Sequence, residues 1–372
     1  MAKITSDFDG GNIRVLDSDD NTDIKLEIEK DGAADFYQWF CFRVNDAVGS
    51  DLVMNICGLK NSSYPLGWAG YNAAASYDGD EWFRVPTSYD DGVLTIKHTP
   101  EHDDITYAYF ANYPTSRYRE FVSTMRDEDV LHHLVLGQTL DWQSIDYFSA
   151  GSGLVQMWVI ARQHPGEAMG SWWMEGFLPA LAGDSTAAVA LREAATIHVV
   201  PCMNLDGAKR GHLRTNAAGI DLNRAWRNTT MEKSPEVYLV REKMRTTGVH
   251  FFLDVHGDEA IANNFTDSAK GIPSWNDRHE GLYDQYSSLL LKKSADFQTE
   301  EGYPTPAPGK ANLDIANNYN AETWGSLAIT LEMPFKDAKV NPMPNVGWSP
   351  ERCREFAVAH LEVMAEIVGR LG

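Results

Sequence analysis

The stretch Val155–Phe177, VQMWVIARQHPGEAMGSWWMEGF, decides the architecture of the larger part of the chain. Its first seven residues are apolar and uncharged except for Gln156, the pattern of a strand buried in a sheet. From Ala168 to Leu181 the apolar residues recur at helical spacing. Between the two, His164-Pro165-Gly166-Glu167 makes a sharp corner, so the stretch predicts strand, turn and helix in immediate succession.

Working outward, strands and helices keep alternating to the C-terminus. ATIHVVPCMN, VHFFLDVHG and SLAITLEMPF have the composition of further buried strands. Ser234-Pro235-Glu236 supplies an N-cap, an N1 proline and a first-turn acid for a helix running to about Thr246. Leu282, Tyr286, Leu289, Lys293 and Phe297 mark another helical face. Ser349-Pro350 opens a final helix with its stripe on Phe356, Leu361, Met364, Val368 and Leu371. Such alternation predicts an α/β domain, in which ligands gather at the carboxyl ends of the strands.

The first third is different. DIKLEIEK alternates Ile24, Leu26 and Ile28 with Lys25, Glu27 and Glu29, the period of a half-buried strand. QWFCFRV, GVLTIKHT and ITYAYFANY follow with turn residues but no helix between them, which predicts an antiparallel β-sandwich. The pattern changes at the proline of NYPTSRY, so the chain divides into residues 1–115 and 116–372.

Composition narrows the partners. Fifty-three acidic against 32 basic residues give a net charge of −21, which argues against nucleic acid. The N-terminus MAKITSDFDGG carries no apolar signal core, and no run is long and apolar enough to span a membrane. Cys41, Cys57, Cys202 and Cys353 are scattered without a framework spacing, as expected in a reducing cytoplasm. No G-x-S-x-G, P-loop or G-x-G-x-x-G motif is present.

An H-x-x-E spacing is weak evidence by itself, and it occurs twice. His98-Thr99-Pro100-Glu101 follows a strand of the small domain with nothing to support it, and reads as exposed loop. His164 and Glu167 instead stand at the carboxyl end of a buried strand, where zinc would accept both ligand types. Alone, His164 could equally cap the following turn. A third ligand must come from another strand end, and His256 closes the apolar run FFLDV. Glu332 lies inside another apolar strand, where a carboxylate needs a partner or a task. The intervening segment NLDGAKRGHLRTNAAGIDLNRAW carries Arg214, Asp221, Asn223 and Arg224, and arginine grips carboxylates in a planar fork.

Taken in order, H-x-x-E, NLDG…GIDLNR, a lone histidine after a strand, and TLE resemble the zinc metallocarboxypeptidases of the M14 type. HPGE, LNR and the leading β domain resemble the cytosolic carboxypeptidase branch more than the digestive enzymes. The likeness covers about residues 120–372 and, more loosely, the first 115. It implies an α/β/α domain with a mixed sheet and one zinc ion held by His164, Glu167 and His256. It further implies Glu332 as general base, Arg214 as the arginine that steadies the oxyanion, and Asn223 and Arg224 as the grip on a substrate's terminal carboxylate. Asp221 would bond the first histidine and fix its tautomer. The substrates implied are peptide or protein C-termini.

One departure concerns the mobile tyrosine of the digestive enzymes. Counting back 22 residues from Glu332 lands on Lys310, and the nearest upstream tyrosine, Tyr319, stands at a different offset. Lys310 raises the expectation of a preference for acidic C-terminal residues. Two alternatives stay open at this point: a zinc amidase or deacylase of small N-acyl amino acids, and a non-catalytic zinc-containing binding protein.

Overall fold

The computed structural model describes all 372 residues. Two five-stranded sheets make up the N-terminal part. One runs in the order Lys3–Thr5, Cys41–Asn45, Ile105–Ala108, Ala73–Ser76 and Phe83–Val85; the other Arg14–Asp17, Ile24–Glu27, Leu52–Cys57, Val93–His98 and Thr87–Asp90. The alternation read from the sequence sets which side chains turn inward: Ile24, Leu26, Met54, Ile56, Leu94 and Ile96 are all fully buried. Pairing is antiparallel except between Ile24–Glu27 and Leu52–Cys57, which run parallel, a local departure from the expected sandwich. We place the boundary between the two units at the start of the helix Thr115–Arg126.

The second unit is built on a seven-stranded mixed sheet, ordered His132–Gln138, Ser144–Ala150, Ala195–Val200, Val155–Ala161, Phe251–Asp258, Leu327–Pro334 and Phe265–Ser268. The four central strands are parallel and the edges antiparallel. Period-two alternation sends Met157, Val159 and Ala161 to one face, with Trp172, Phe177 and Phe356 from helices Met169–Ala182 and Pro350–Ile367. Trp158 and Ile160 go to the other face, with Val237, Val240 and Ala316 from helices Pro235–Thr247 and Ala316–Trp324. The sheet is therefore covered on both sides, which is why its central strands are uniformly apolar.

The chain passes from Val155–Ala161 to Ala195–Val200 on one side, then returns to Phe251–Asp258 on the other. Strand order thus reverses at Val155–Ala161, and the crevice opens beyond the carboxyl ends of the strands there. His164 and His256 follow or end the two strands that flank it.

Some elements differ from expectation. The helix carrying Leu282 and Tyr286 ends at Lys293, so Phe297 lies beyond it, in a bridge with Asn264. Three strands, His132–Gln138, Ser144–Ala150 and Phe265–Ser268, carry no apolar run that announces them. No helix is long and apolar enough to cross a membrane, and all four cysteines are free.

Candidate metal centre and active site

The HPGE corner is fixed from its own strand. Arg162 adopts a left-handed backbone (φ 59°), turning the chain out of the sheet. Its buried guanidinium donates to the carbonyls of Pro165 (3.0 Å) and Tyr113 (3.1 Å) and to Ser171 Oγ (3.2 Å), closing the corner. Gly166 is required by proximity: a Cβ there would lie 2.8 Å from the Leu213 carbonyl oxygen. The corner is thereby pressed against the segment that carries Arg214.

His164, Glu167 and His256 meet in the crevice, each nearly inaccessible to solvent, with one ligand atom apiece inside a 4.8 Å sphere of mutual distance. The Nδ1 atoms of the two histidines face each other at 3.1 Å, and Glu167 reaches both, Oε1 at 2.6 Å from His164 and Oε2 at 2.8 Å from His256. On the far side of each ring sits another carboxylate: Asp221 Oδ1 lies 3.0 Å from His164 Nε2, and Asp254 Oδ2 lies 2.9 Å from His256 Nε2. A carboxylate at Nε2 places the ring proton there and leaves the Nδ1 lone pair for a cation, the usual arrangement behind metal-bound histidines. Two lone pairs and a carboxylate aimed at one point fit zinc.

Glu332 stands directly opposite His256 in the register of two parallel strands, so sheet geometry alone sets it beside the ligands. Its Oε2 has no hydrogen-bond partner in the protein, and burial pushes its carboxyl well above the usual carboxylate range. Around these residues lies a cavity of about 450 Å³, lined also by Tyr64, Arg214, Asn223, Arg224, Glu259 and Asp267.

Arg214 donates from Nε to Asp221 (2.7 Å) and from Nη1 to the Tyr64 hydroxyl (2.6 Å). Asp221 accepts the Asn223 amide (2.9 Å), and Asn223 Oδ1 accepts the amide of Ala316 (2.9 Å), which tethers the helix Ala316–Trp324 to the crevice. Arg224 reaches the Asn223 carbonyl from Nη1 (2.7 Å) and makes no salt bridge with a protein carboxylate.

The structure thus gathers His164, Glu167, His256, Glu332, Arg214, Asp221, Asn223 and Arg224 around one cavity. It does not bring Lys310 there: that residue is exposed in a turn, its amide donating to Ala307. Tyr319 packs against Trp226 and under Arg241 instead. The other H-x-x-E is dispersed: half-buried His98 bonds the Tyr107 hydroxyl (2.8 Å), and Glu101 is exposed. Cavity residues not singled out from the sequence include Tyr64, Asp258, Glu259, Asp267 and Tyr303, and with them Asp254 behind His256.

Two histidines and a glutamate with carboxylates behind the rings, and a further glutamate free beside them, equip a zinc-dependent hydrolase. Residues 118–347 match the zinc carboxypeptidase family, peptidase M14, and residues 4–110 match the cytosolic carboxypeptidase N-terminal domain. The chain belongs to the M14 zinc carboxypeptidases, and is a metallocarboxypeptidase. It resembles a metallo-carboxypeptidase of Pseudomonas aeruginosa, solved in complex with (2-guanidinoethylmercapto)succinic acid, at 40% identity, TM-score 0.97 and full coverage of both chains. A Zymomonas mobilis protein is 44% identical over 99% of this chain and 97% of its own. The match to bovine cytosolic carboxypeptidase 3 is 37% identical over 36% of this chain, and spans only 14% of that longer relative.

Proposed function

We propose that this metallocarboxypeptidase releases single residues from free peptide C-termini, with a preference for lysine and arginine. Bound zinc supplies an acidified water and polarisation of the scissile carbonyl. Glu332 takes the proton from the attacking water and carries it to the leaving amine. Arg214 gives N–H groups to the carbonyl oxygen as it gains charge. Asn223 and Arg224 hold the terminal carboxylate, which makes the enzyme read chain ends. We also place it in the cytoplasm, supported by its free thiols and its type of N-terminal domain.

The observation that carries the specificity is Asp267. It sits on the strand Phe265–Ser268 opposite Thr330, and both line the cavity that holds Arg224. No lysine or arginine pairs with it, and burial pushes its carboxyl up to about 6. A half-buried carboxylate facing the cavity without a protein cation is open to pairing with a substrate guanidinium or ammonium. The compound bound to the Pseudomonas relative carries a guanidino group at one end and a succinate at the other, the same pairing of charges. Lys310 is exposed and does not line the cavity, so it offers no support there for an acidic side chain.

Peptides ending in each residue type test this. Wild type is expected to release Lys and Arg fastest, and Asp267→Asn to lose roughly 10²–10³-fold on those while changing little on Leu or Phe. Fastest release of Glu or Asp, or an unaltered preference in Asp267→Asn, contradicts the specificity.

A further inference from the structure

We infer that the N-terminal β domain is a working wall of the catalytic site, and that Tyr64 on it is a catalytic hydrogen-bond donor beside Arg214. The inference rests on the carboxypeptidase reading above and goes beyond it.

The domain grips the loop before Asp221 at several points. Asp31, buried, accepts the backbone N–H groups of Leu213 (2.6 Å), Arg214 (2.9 Å) and Thr215 (2.8 Å) and the Thr215 hydroxyl (2.9 Å). Three consecutive amides on one carboxylate fix the backbone that launches the Arg214 side chain. His212 Nε2 accepts the Gly32 amide (2.9 Å), and Asn12 donates to the Gly211 carbonyl (2.8 Å). A Cβ on Gly211 would lie 2.4 Å from the Gly11 carbonyl oxygen, and one on Gly219 at 2.4 Å from that of Ala33, so the two surfaces meet backbone to backbone.

The guanidinium itself is then held from both domains. Asp221 of the catalytic domain takes Nε, Tyr64 of the β domain takes Nη1, and the rings of Phe36 and Tyr64 lie 5.6 and 5.8 Å from its carbon. Nη2 has no acceptor in the protein. The Tyr64 hydroxyl accepts from Arg214 and its own proton has no acceptor either, although Tyr64 and Arg214 both line the cavity. A phenol that accepts from a cation is polarised toward donating. Two unspent donors on one wall, in contact with each other, form a place for an oxygen that gains negative charge during the reaction. Tyr64 therefore gives its hydrogen bond to the substrate carbonyl oxygen together with Arg214, and Asp31 is the positioning residue behind them.

Kinetics of full-length, zinc-loaded enzyme test this. Tyr64→Phe removes only the hydroxyl, and is expected to lower kcat by roughly 10–10²-fold with KM and melting temperature unchanged. In an Arg214→Ala background the same change is expected to cost less than about 3-fold, because the two donors serve one oxygen. An unchanged kcat in Tyr64→Phe overturns the inference, as does an equal loss in both backgrounds. An active wild type with an indifferent Tyr64→Phe sinks this inference alone. A wild type that releases nothing from any peptide sinks the carboxypeptidase reading and this inference with it.

Discussion

Glu332→Gln is expected to keep zinc bound and to lower kcat by roughly 10³–10⁴-fold. The expectation follows from where the carboxylate stands. It faces His256 across a parallel strand pair, one oxygen has no protein donor, and it is not one of the three converging ligands. Glutamine preserves volume and most packing, so the sheet and the metal site are left intact. What it removes is the ability to accept a proton from water and return it to the departing amine. Initial rates alongside elemental analysis separate the roles: loss of zinc in the variant would make Glu332 a ligand, and retention of more than a tenth of the activity would leave the reaction without its base.

Arg224→Ala is expected to lower kcat/KM on free-acid peptides by roughly 10²–10³-fold, mostly through KM. Arg224 lines the cavity and has only a backbone carbonyl as its acceptor. A guanidinium that forms no salt bridge with the protein is available to a substrate carboxylate. The matching control is the same peptide with an amidated C-terminus, which wild type should cleave no better than the variant cleaves the acid. If amide and acid are cleaved alike by wild type, the enzyme does not read chain ends and Arg224 has another task.

Much of the site was legible because it obeys the sheet. His256 and Glu332 interrupt apolar strands and His164 and Glu167 stand on the corner that follows another, and a buried sheet tolerates such residues only where they gather for a purpose. Asp254 was legible too, since it stands two residues before His256 and so shares its face of the strand, but an acid inside FFLDV was absorbed into the apolar run. Asp267 was hidden for a different reason: its strand FTDS is short, polar and at a sheet edge, with no periodicity to reveal it. Tyr64 lies 150 residues from Arg214 in sequence and Asp31 lies 183, so neither contact leaves any local pattern. Lys310 misled because the backward count assumes no insertion, whereas residues 299–314 form an irregular loop that breaks the register.

The most direct test of the central claim is a zinc titration of metal-free protein, read by C-terminal release from a peptide ending in lysine. Release should be absent without metal and rise in proportion to added zinc, levelling at one ion per chain. Full activity in protein shown to be free of metal, or zinc binding that survives loss of both His164 and His256, would contradict it.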